Sequence, residues 1–322
     1  MAHFTFVERK MLKEFLESGR SYGEIGKILG KRKSSVWSEV QKGGGGEKYN
    51  PFSSEERYRR GRIERKKRKK MDISPGLKKY VVEKIREDWS PEQIAGELKR
   101  LSGGETVLSH ETLYLFVYSD EGKELKLWKH LRHKKRGERK HWSERRKRAL
   151  IPSRVSLHKR PTIINTREEF GHWEGDLMQF SNSRSTLAVF VERTTRKTIA
   201  VVNSDKSAEE MRFALYELLS SAGQRNVLSL TLDNGLENVC HERVREDYCY
   251  SFDTYFCDTY CSWQKGTVEN TNKLLRQYFP RHIDPSLITQ DYLDSVLEKL
   301  NSRPRKCLNF ISPLSSFKNR SF

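Results

Sequence analysis

The sequence predicts a chain in two parts: an all-α, basic front half and an α/β back half whose mixed sheet is flanked by helices. Three observations predict this. Charge is split unevenly: residues 1–150 hold 39 Lys+Arg against 22 Asp+Glu, whereas residues 151–322 hold 23 against 21. Up to about residue 150 the punctuation is helical, with polar caps, Gly stops and apolar residues three and four apart. From about residue 165 it changes to β-branched runs in the order three strands, helix, strand, helix, strand, helices, which is the grammar of an α/β domain.

The front elements follow in order. Residues 1–45 read as a helix-turn-helix domain. Ser21-Tyr22-Gly23-Glu24 is a capping box, Ile25, Ile28 and Leu29 supply an apolar face, and Gly30 stops the helix. Ser34 or Ser35 is expected to cap the next helix, which carries Val36 and Val40. Lys31, Arg32, Lys33, Ser35 and Trp37 then fall at the end of that helix which meets base edges in this motif. Residues 46–74 read as a basic linker: Gly43 to Gly46 break the chain, and a dense run from Arg57 ends Arg65-Lys66-Lys67-Arg68-Lys69-Lys70, suited to phosphate. Residues 75–150 repeat the helical pattern. Ser90-Pro91-Glu92-Gln93 gives a cap with Pro at the first helical position, Gly103-Gly104 break the helix and Ser109 caps the next. A basic tract from Lys126 to Arg148 follows, with His130, His133 and His141 read as surface residues.

Residues 165–322 are expected to form the α/β domain. Strands are predicted at Trp173 to Phe180, Ser185 to Arg193, Lys197 to Val202, Val227 to Leu232 and Tyr255 to Cys257. Helices are predicted at Ala208 to Ser221, Leu236 to Asp247, from Thr267 onward and at Thr289 to Leu300.

Net charge is +19 at a sequence pI near 9.7, which points to a polyanion, most often nucleic acid. No apolar run approaches the roughly 20 residues that span a bilayer. No secretory leader is seen at Met1-Ala2-His3-Phe4-Thr5-Phe6, so a cytoplasmic protein is expected. Cys240, Cys249, Cys257, Cys261 and Cys307 form no CxxC pair and read as reduced thiols, a zinc site from Cys257, Cys261 and a His being the alternative.

Three acids carry the chemistry. Asp176 lies on the first strand, Asp233 ends the fourth and opens Asp233-Asn234-Gly235, and Glu269 lies near the start of a helix. If they converge, three carboxylates can hold two hard divalent cations about 4 Å apart, the arrangement that activates an attacking oxygen and stabilises a leaving one at a phosphodiester. Each acid also has a structural reading. Asp-Asn-Gly shapes turns, Glu269 suits a helix N-terminus, and Asp176, inside a buried strand, needs a partner of some kind. Lys273 and Arg276 share a face with Glu269 and could bind flanking phosphates, or pair with the domain's own acids. Arg303, Arg305 and Lys306 form a further basic cluster. Trp263 is expected to pack against the Glu269 helix, with stacking on a base as the other reading.

Five ordered segments carry a resemblance. They are Gly171-His172-Trp173-Glu174-Gly175-Asp176-Leu177, Thr231-Leu232-Asp233-Asn234-Gly235-Leu236-Glu237, Tyr260 through Asn270, Leu274 through Pro280, and Leu300 through Lys306. Together they resemble the IS30 family of bacterial insertion-sequence transposases. The resemblance implies an RNase H-like DDE catalytic domain using Mg²⁺, with Mn²⁺ as a substitute, and an N-terminal region that recognises terminal inverted repeats. Departures are Ser262 where Pro is usual, Asn238 where an aromatic is usual, Gly26 in place of a small Ala, and a spacing of 35 residues between Asp233 and Glu269. They are expected to touch packing and loop shape rather than the carboxylates.

The resulting expectation is a DDE transposase with catalytic and metal-binding Asp176, Asp233 and Glu269, two metal ions, and double-stranded DNA as partner, both element ends and target. Paired ends imply a homodimer or higher oligomer, acting at the bacterial nucleoid. A non-catalytic helix-turn-helix regulator and a structure-selective nuclease of the RNase H-like class are the alternatives.

Overall fold

The computed structural model describes residues 3–64, 74–132, 151–181, 183–259 and 261–321, and divides at Pro75 into two compact units. In the first, α1 (Phe6–Glu17), α2 (Tyr22–Leu29), α3 (Lys33–Lys42) and α4 (Pro51–Glu64) close on Phe4, Leu12, Ile25, Val36, Val40 and Tyr49. Two full capping boxes start α1 and α2, Thr5 with Glu8 and Ser21 with Glu24. The turn into α3 is tight: a Cβ on Gly26 would stand 2.8 Å from the Lys31 carbonyl oxygen, so this Gly lets the turn close onto α2.

Two expectations are corrected in this unit. The third helix begins at Lys33 with Arg32 as its N-cap and no side-chain cap, ahead of Ser34 and Ser35. Much of the stretch read as linker is α4. It is held because the buried Arg9 guanidinium pairs with Glu39 of α3 at 2.7 Å and Glu55 of α4 at 2.6 Å, and donates to the Phe4 carbonyl. A buried cation demands such partners, and here it ties three helices together.

The second unit begins with α5 (Pro75–Arg86), α6 (Pro91–Leu101), α7 (His110–Val117) and α8 (Asp120–Glu124), and continues into the sheet domain after α9 (Thr162–Thr166). Its strands are β1 (His172–Gln179), β2 (Thr186–Glu192), β3 (Thr198–Asn203), β4 (Ser229–Leu232) and β5 (Asp253–Phe256). They lie in the order β3-β2-β1-β4-β5. The first three pair antiparallel, whereas β4 runs parallel to both β1 and β5. This is the mixed sheet expected from the order of elements.

Each face of the sheet has its own core. On one, α10 (Ala208–Ala222) and α14 (Pro313–Lys318) cover Trp173, Ala188, Phe190 and Leu230. On the other, α12 (Gly266–Leu275) and α13 (Gln290–Ser302) cover Met178, Leu187, Val189 and Val191. The region read as one helix from Leu236 to Asp247 is a short 3₁₀ turn at Leu236–Asn238 followed by α11 (His241–Asp247).

The α5–α7 helices pack on this domain. Asp88 accepts from the Tyr278 hydroxyl at 2.8 Å and lies 3.6 Å from the buried Arg303 guanidinium. Gln93 donates to the Pro304 carbonyl at 2.9 Å. All five cysteines are free thiols, and burial pushes Cys257 up to about 11. Among the described residues no helix is long and apolar enough to cross a membrane.

Candidate active site

The sheet register brings the first two acids together. In the parallel β1–β4 pair, His172 faces Ser229 and Glu174 faces Thr231. Two residues further along stand Asp176, still within β1 and paired with Val189 of β2, and Asp233, one residue past the end of β4. The chain reverses its strand order between these two strands, the position at which open α/β sheets form their clefts. Because side chains alternate along a strand, Glu174, Asp176 and Met178 share one face, and Met178 belongs to the core beneath α12 and α13.

Glu174 is the buried acid of this strand, 1 % exposed. Its carboxylate accepts from the backbone N–H groups of Thr267 and Val268 at 2.9 and 3.0 Å, and from the Thr267 hydroxyl at 3.0 Å. These are donors of the first turn of α12, where unpaired N–H groups and the helix dipole favour an anion. A strand residue thus caps the helix that carries Glu269, fixing where that helix starts relative to Asp176.

One lysine joins the aspartates. The Lys265 ammonium, at the N-cap of α12, donates to Asp176 Oδ1 at 2.9 Å and to the Gly175 carbonyl at 3.1 Å, and lies 3.8 Å from Asp233 Oδ2. Burial opposes its charge, yet Asp176 and Asp233 outweigh burial and hold its pKa above the ordinary lysine value. Asn272, two turns along the same helix face, donates to Asp176 Oδ2 at 2.8 Å. Glu269 stands between Lys265 and Asn272 on that face and pairs with Lys273 at 2.8 Å.

The three acids are therefore neighbours by strand and helix, but not one carboxylate cluster. Among the described residues no group of three or more His, Cys, Asp or Glu side chains stands ready to hold a metal ion. Each acid instead faces an ammonium group, the buried Lys265 between the aspartates and the exposed Lys273 at the glutamate. The donor set itself suits a hard divalent cation, being all carboxylate oxygen. Asp176 and Asp233 both face the Lys265 ammonium.

Sequence reasoning missed Glu174, Lys265 and Asn272 as parts of this site. The spacing −4 and +3 from Glu269 was a usable signal for the last two. Glu174 carried no local signal, since its partners lie more than 90 positions on. Asn238 also corrects an expectation. This departure from the family pattern was expected to spare the carboxylates, but its amide donates to Asp233 Oδ1 at 3.0 Å.

The residues proposed for DNA divide sharply. Arg32, Lys33 and Trp37 are exposed on or beside α3 and Ser35 is half-buried. Beside them a polar cleft of about 420 Å³ is lined by Ser34, Ser35, Ser38, Lys42, Arg57 and Tyr58 among others. Lys31 is drawn inward to Glu8 at 3.2 Å and the His3 carbonyl. Arg65, Lys66, Lys67 and Arg68 lie outside the described residues.

In the second unit Lys273 is exposed beside Glu269. Arg276 is turned to the Gln179 and Phe279 carbonyls and packs over Phe180, and burial brings its pKa down to about 10. Arg303 and Arg305 are a correction: Arg303 is buried against Asp88 and Tyr278, Arg305 is half-buried and donates to the Leu300 carbonyl, and burial lowers both pKa values. Lys306 pairs with Glu92 at 2.7 Å. Trp263, expected to pack, is 71 % exposed beside the candidate site.

Comparison with known proteins adds the following. No protein-family model matches the chain. It is 32% identical over 319 residues to the transposase of insertion sequence element IS4351 of Bacteroides fragilis, spanning 98% of this chain and 95% of that one. It is 35% identical over 320 residues to transposase InsI of insertion sequence element IS30A of Escherichia coli, spanning 97% and 82%. Against the transposase of IS1086 of Cupriavidus metallidurans it is 39% identical over 232 residues, spanning 70% and 67%. Among solved structures, the catalytic core domain of BIV integrase is similar over 47% of this chain and 95% of that one, at 18% identity and a TM-score of 0.37.

Proposed function

The chain belongs to the IS30 family of insertion-sequence transposases, and we propose that Asp176, Asp233 and Glu269 are the carboxylates with which it cuts and joins DNA strands. The observation that carries this reading is the β1–β4 register, which sets Asp176 and Asp233 around a shared cation with the Glu269 helix capped onto the same strand. Family membership favours strand transfer over a purely regulatory DNA-binding role and over a nuclease of branched DNA.

The substrate is double-stranded DNA, first the terminal inverted repeats of the element and then a target. Two Mg²⁺ ions held by Asp176, Asp233 and Glu269, with Mn²⁺ as a substitute, would neutralise the scissile phosphate and favour ionisation of the attacking oxygen. The protein's own residues do the rest. Asn272 fixes the Asp176 carboxylate and Asn238 that of Asp233, so both are oriented before substrate arrives. Glu174 holds the Glu269 helix in place. Lys273, exposed beside Glu269, would contact a phosphate next to the cut, and Trp263 offers an exposed ring on which an unpaired base can stack. Residues 1–45, through Arg32, Lys33, Ser35 and Trp37 of the α3 region, read the ends. Two ends handled together call for a homodimer or higher oligomer at the bacterial nucleoid, in the cytoplasm.

The test is a strand-cleavage and strand-transfer assay on end-containing DNA, run beside a binding assay at fixed salt, because lysine and arginine contacts make affinity salt-dependent. Asp176→Ala and Asp233→Ala should each abolish Mg²⁺-dependent cleavage and leave end binding nearly intact. Full Mg²⁺-dependent activity in both variants sinks the assignment.

A further inference from the structure

Lys265 is 7 % exposed at its side chain, in the one place where Asp176 and Asp233 face a common point. Of the two Asp176 oxygens, Oδ2 is taken by the Asn272 amide and Oδ1 by the Lys265 ammonium. The carboxylate is thus already oriented, and among the described residues its partner at Oδ1 is the Lys265 ammonium. A divalent ion bound to Oδ1 and Asp233 would need the space the ammonium fills. Two cations on one carboxylate oxygen repel strongly in a partly buried cleft, so the two occupancies exclude each other.

We propose that Lys265 is an internal counter-ion that holds the Asp176–Asp233 pair together in the metal-free chain and is displaced when a divalent cation binds. This rests on the reading of these aspartates as metal ligands. It assigns Lys265 a positioning role: it keeps two like charges, one within β1 and one just past β4, close together, at the cost of weaker metal affinity.

Mn²⁺ alone is the probe, titrated into the full-length chain at constant pH and salt, with free Mn²⁺ read by electron paramagnetic resonance. Lys265→Met, which keeps the stem and removes the charge, should bind Mn²⁺ about tenfold tighter than the native chain, a difference of about 1.4 kcal/mol. Lys265→Arg, which keeps the charge, should bind no tighter than native. In the native chain, reductive methylation followed by peptide mass mapping should find Lys265 protected without Mn²⁺ and modified several-fold faster with it, while the half-buried Lys197 does not change. This second measurement needs no variant to fold. Mn²⁺ binding to Lys265→Met that is equal to or weaker than native, or Lys265 reactivity unmoved by Mn²⁺, overturns the proposal. An Asp176→Asn, Asp233→Asn double variant separates the two levels. If it binds Mn²⁺ as well as native does, the ligand reading itself fails and takes the proposal with it.

Discussion

The α2–α3 and α6–α7 helix pairs start from the same local grammar and acquire different attachments. Ser21 with Glu24 and Ser90 with Gln93 are both complete capping boxes, and each is followed at once by a fully buried isoleucine, Ile25 and Ile94. The first pair closes on a small core made by its own unit, with Arg9 as its internal tie. The second is fastened to the sheet domain by contacts some 200 positions away in sequence: Gln93 to Pro304, Asp88 to Tyr278 and Arg303, Lys306 to Glu92. A capping box fixes where a helix starts, and long-range polar contacts fix what the helix belongs to. The surface left over differs accordingly. Around α3 the basic residues Arg32 and Lys33 remain outward, whereas the basic cluster opposite α6 is spent on internal partners.

The most disruptive way to break this comparison is Arg303→Ala. The guanidinium is 4 % exposed and faces Asp88, which also accepts from Tyr278 and pairs with His130. Removing it leaves a carboxylate largely buried without its cation, and truncating one member of such a pair costs about 3 kcal/mol. Hydrogen exchange on the full-length chain should show faster opening across α5 to α7 and residues 278–305, with α1 to α4 unchanged. Equal acceleration in both units would show that the docking contacts do not hold the second pair.

Gly96→Ala should act on the same attachment with a smaller effect. A Cβ there would stand 2.2 Å from the Phe310 ring, and Phe310 itself holds a positive φ of 60°, so it has little room to retreat. Overpacking of this kind costs about 2 kcal/mol. The expected signature is a lowered unfolding midpoint in urea with faster exchange at both residues 91–101 and 305–311. A variant with native stability would mean that the ring swings aside freely and that the contact carries no weight.

The legible part of the molecule follows from the same distinction. Strands β1 to β5, α10, α12 and α13 could be read within a few residues because their signals are local: β-branched runs, helical spacing and Ser or Thr caps. Asp176, Asp233 and Glu269 could be placed on strand, strand end and helix for the same reason. Illegible were the partners. Nothing near Glu174 announces that it caps α12, the spacing of Lys265 from Glu269 points to the site but not to the two aspartates it meets, and Arg303 and Arg305 look like a surface cluster until Asp88 and Leu300 are brought beside them. Basic residues are ambiguous in sequence because a lysine or arginine reads alike whether it meets a phosphate or a buried acid. The α4 segment shows the reverse error: its arginines suggested a linker, while Glu55 and its contact with Arg9 make it part of a core.

The two caps sharpen the comparison with the smallest expected effect. Ser21 Oγ and Ser90 Oγ each accept from the backbone N–H three residues on, at 3.4 and 3.2 Å, so Ser21→Ala and Ser90→Ala each remove one helix-end acceptor. The local cost should be similar, about 1 kcal/mol apiece. The reach should not. Glu24 hydrogen-bonds Ser21 and its other charged neighbours, Arg20 and Lys27, are local, so Ser21→Ala should loosen α2 and its contact with α3 alone. Gln93 uses its amide oxygen for the Ser90 N–H and its amide nitrogen for the Pro304 carbonyl. Loss of the Ser90 hydroxyl leaves both bonds of that bridge in place but frees the Gln93 backbone N–H and loosens the residue that carries it, and Ser90→Ala should therefore also quicken exchange around Pro304, more than 200 positions away. Matching local losses with a distant response in the second variant only would establish that the α6 cap is a joint between units of structure, whereas the α2 cap is just a helix start. A silent Pro304 region in Ser90→Ala would instead mean that the buried Arg303 contact alone carries the attachment.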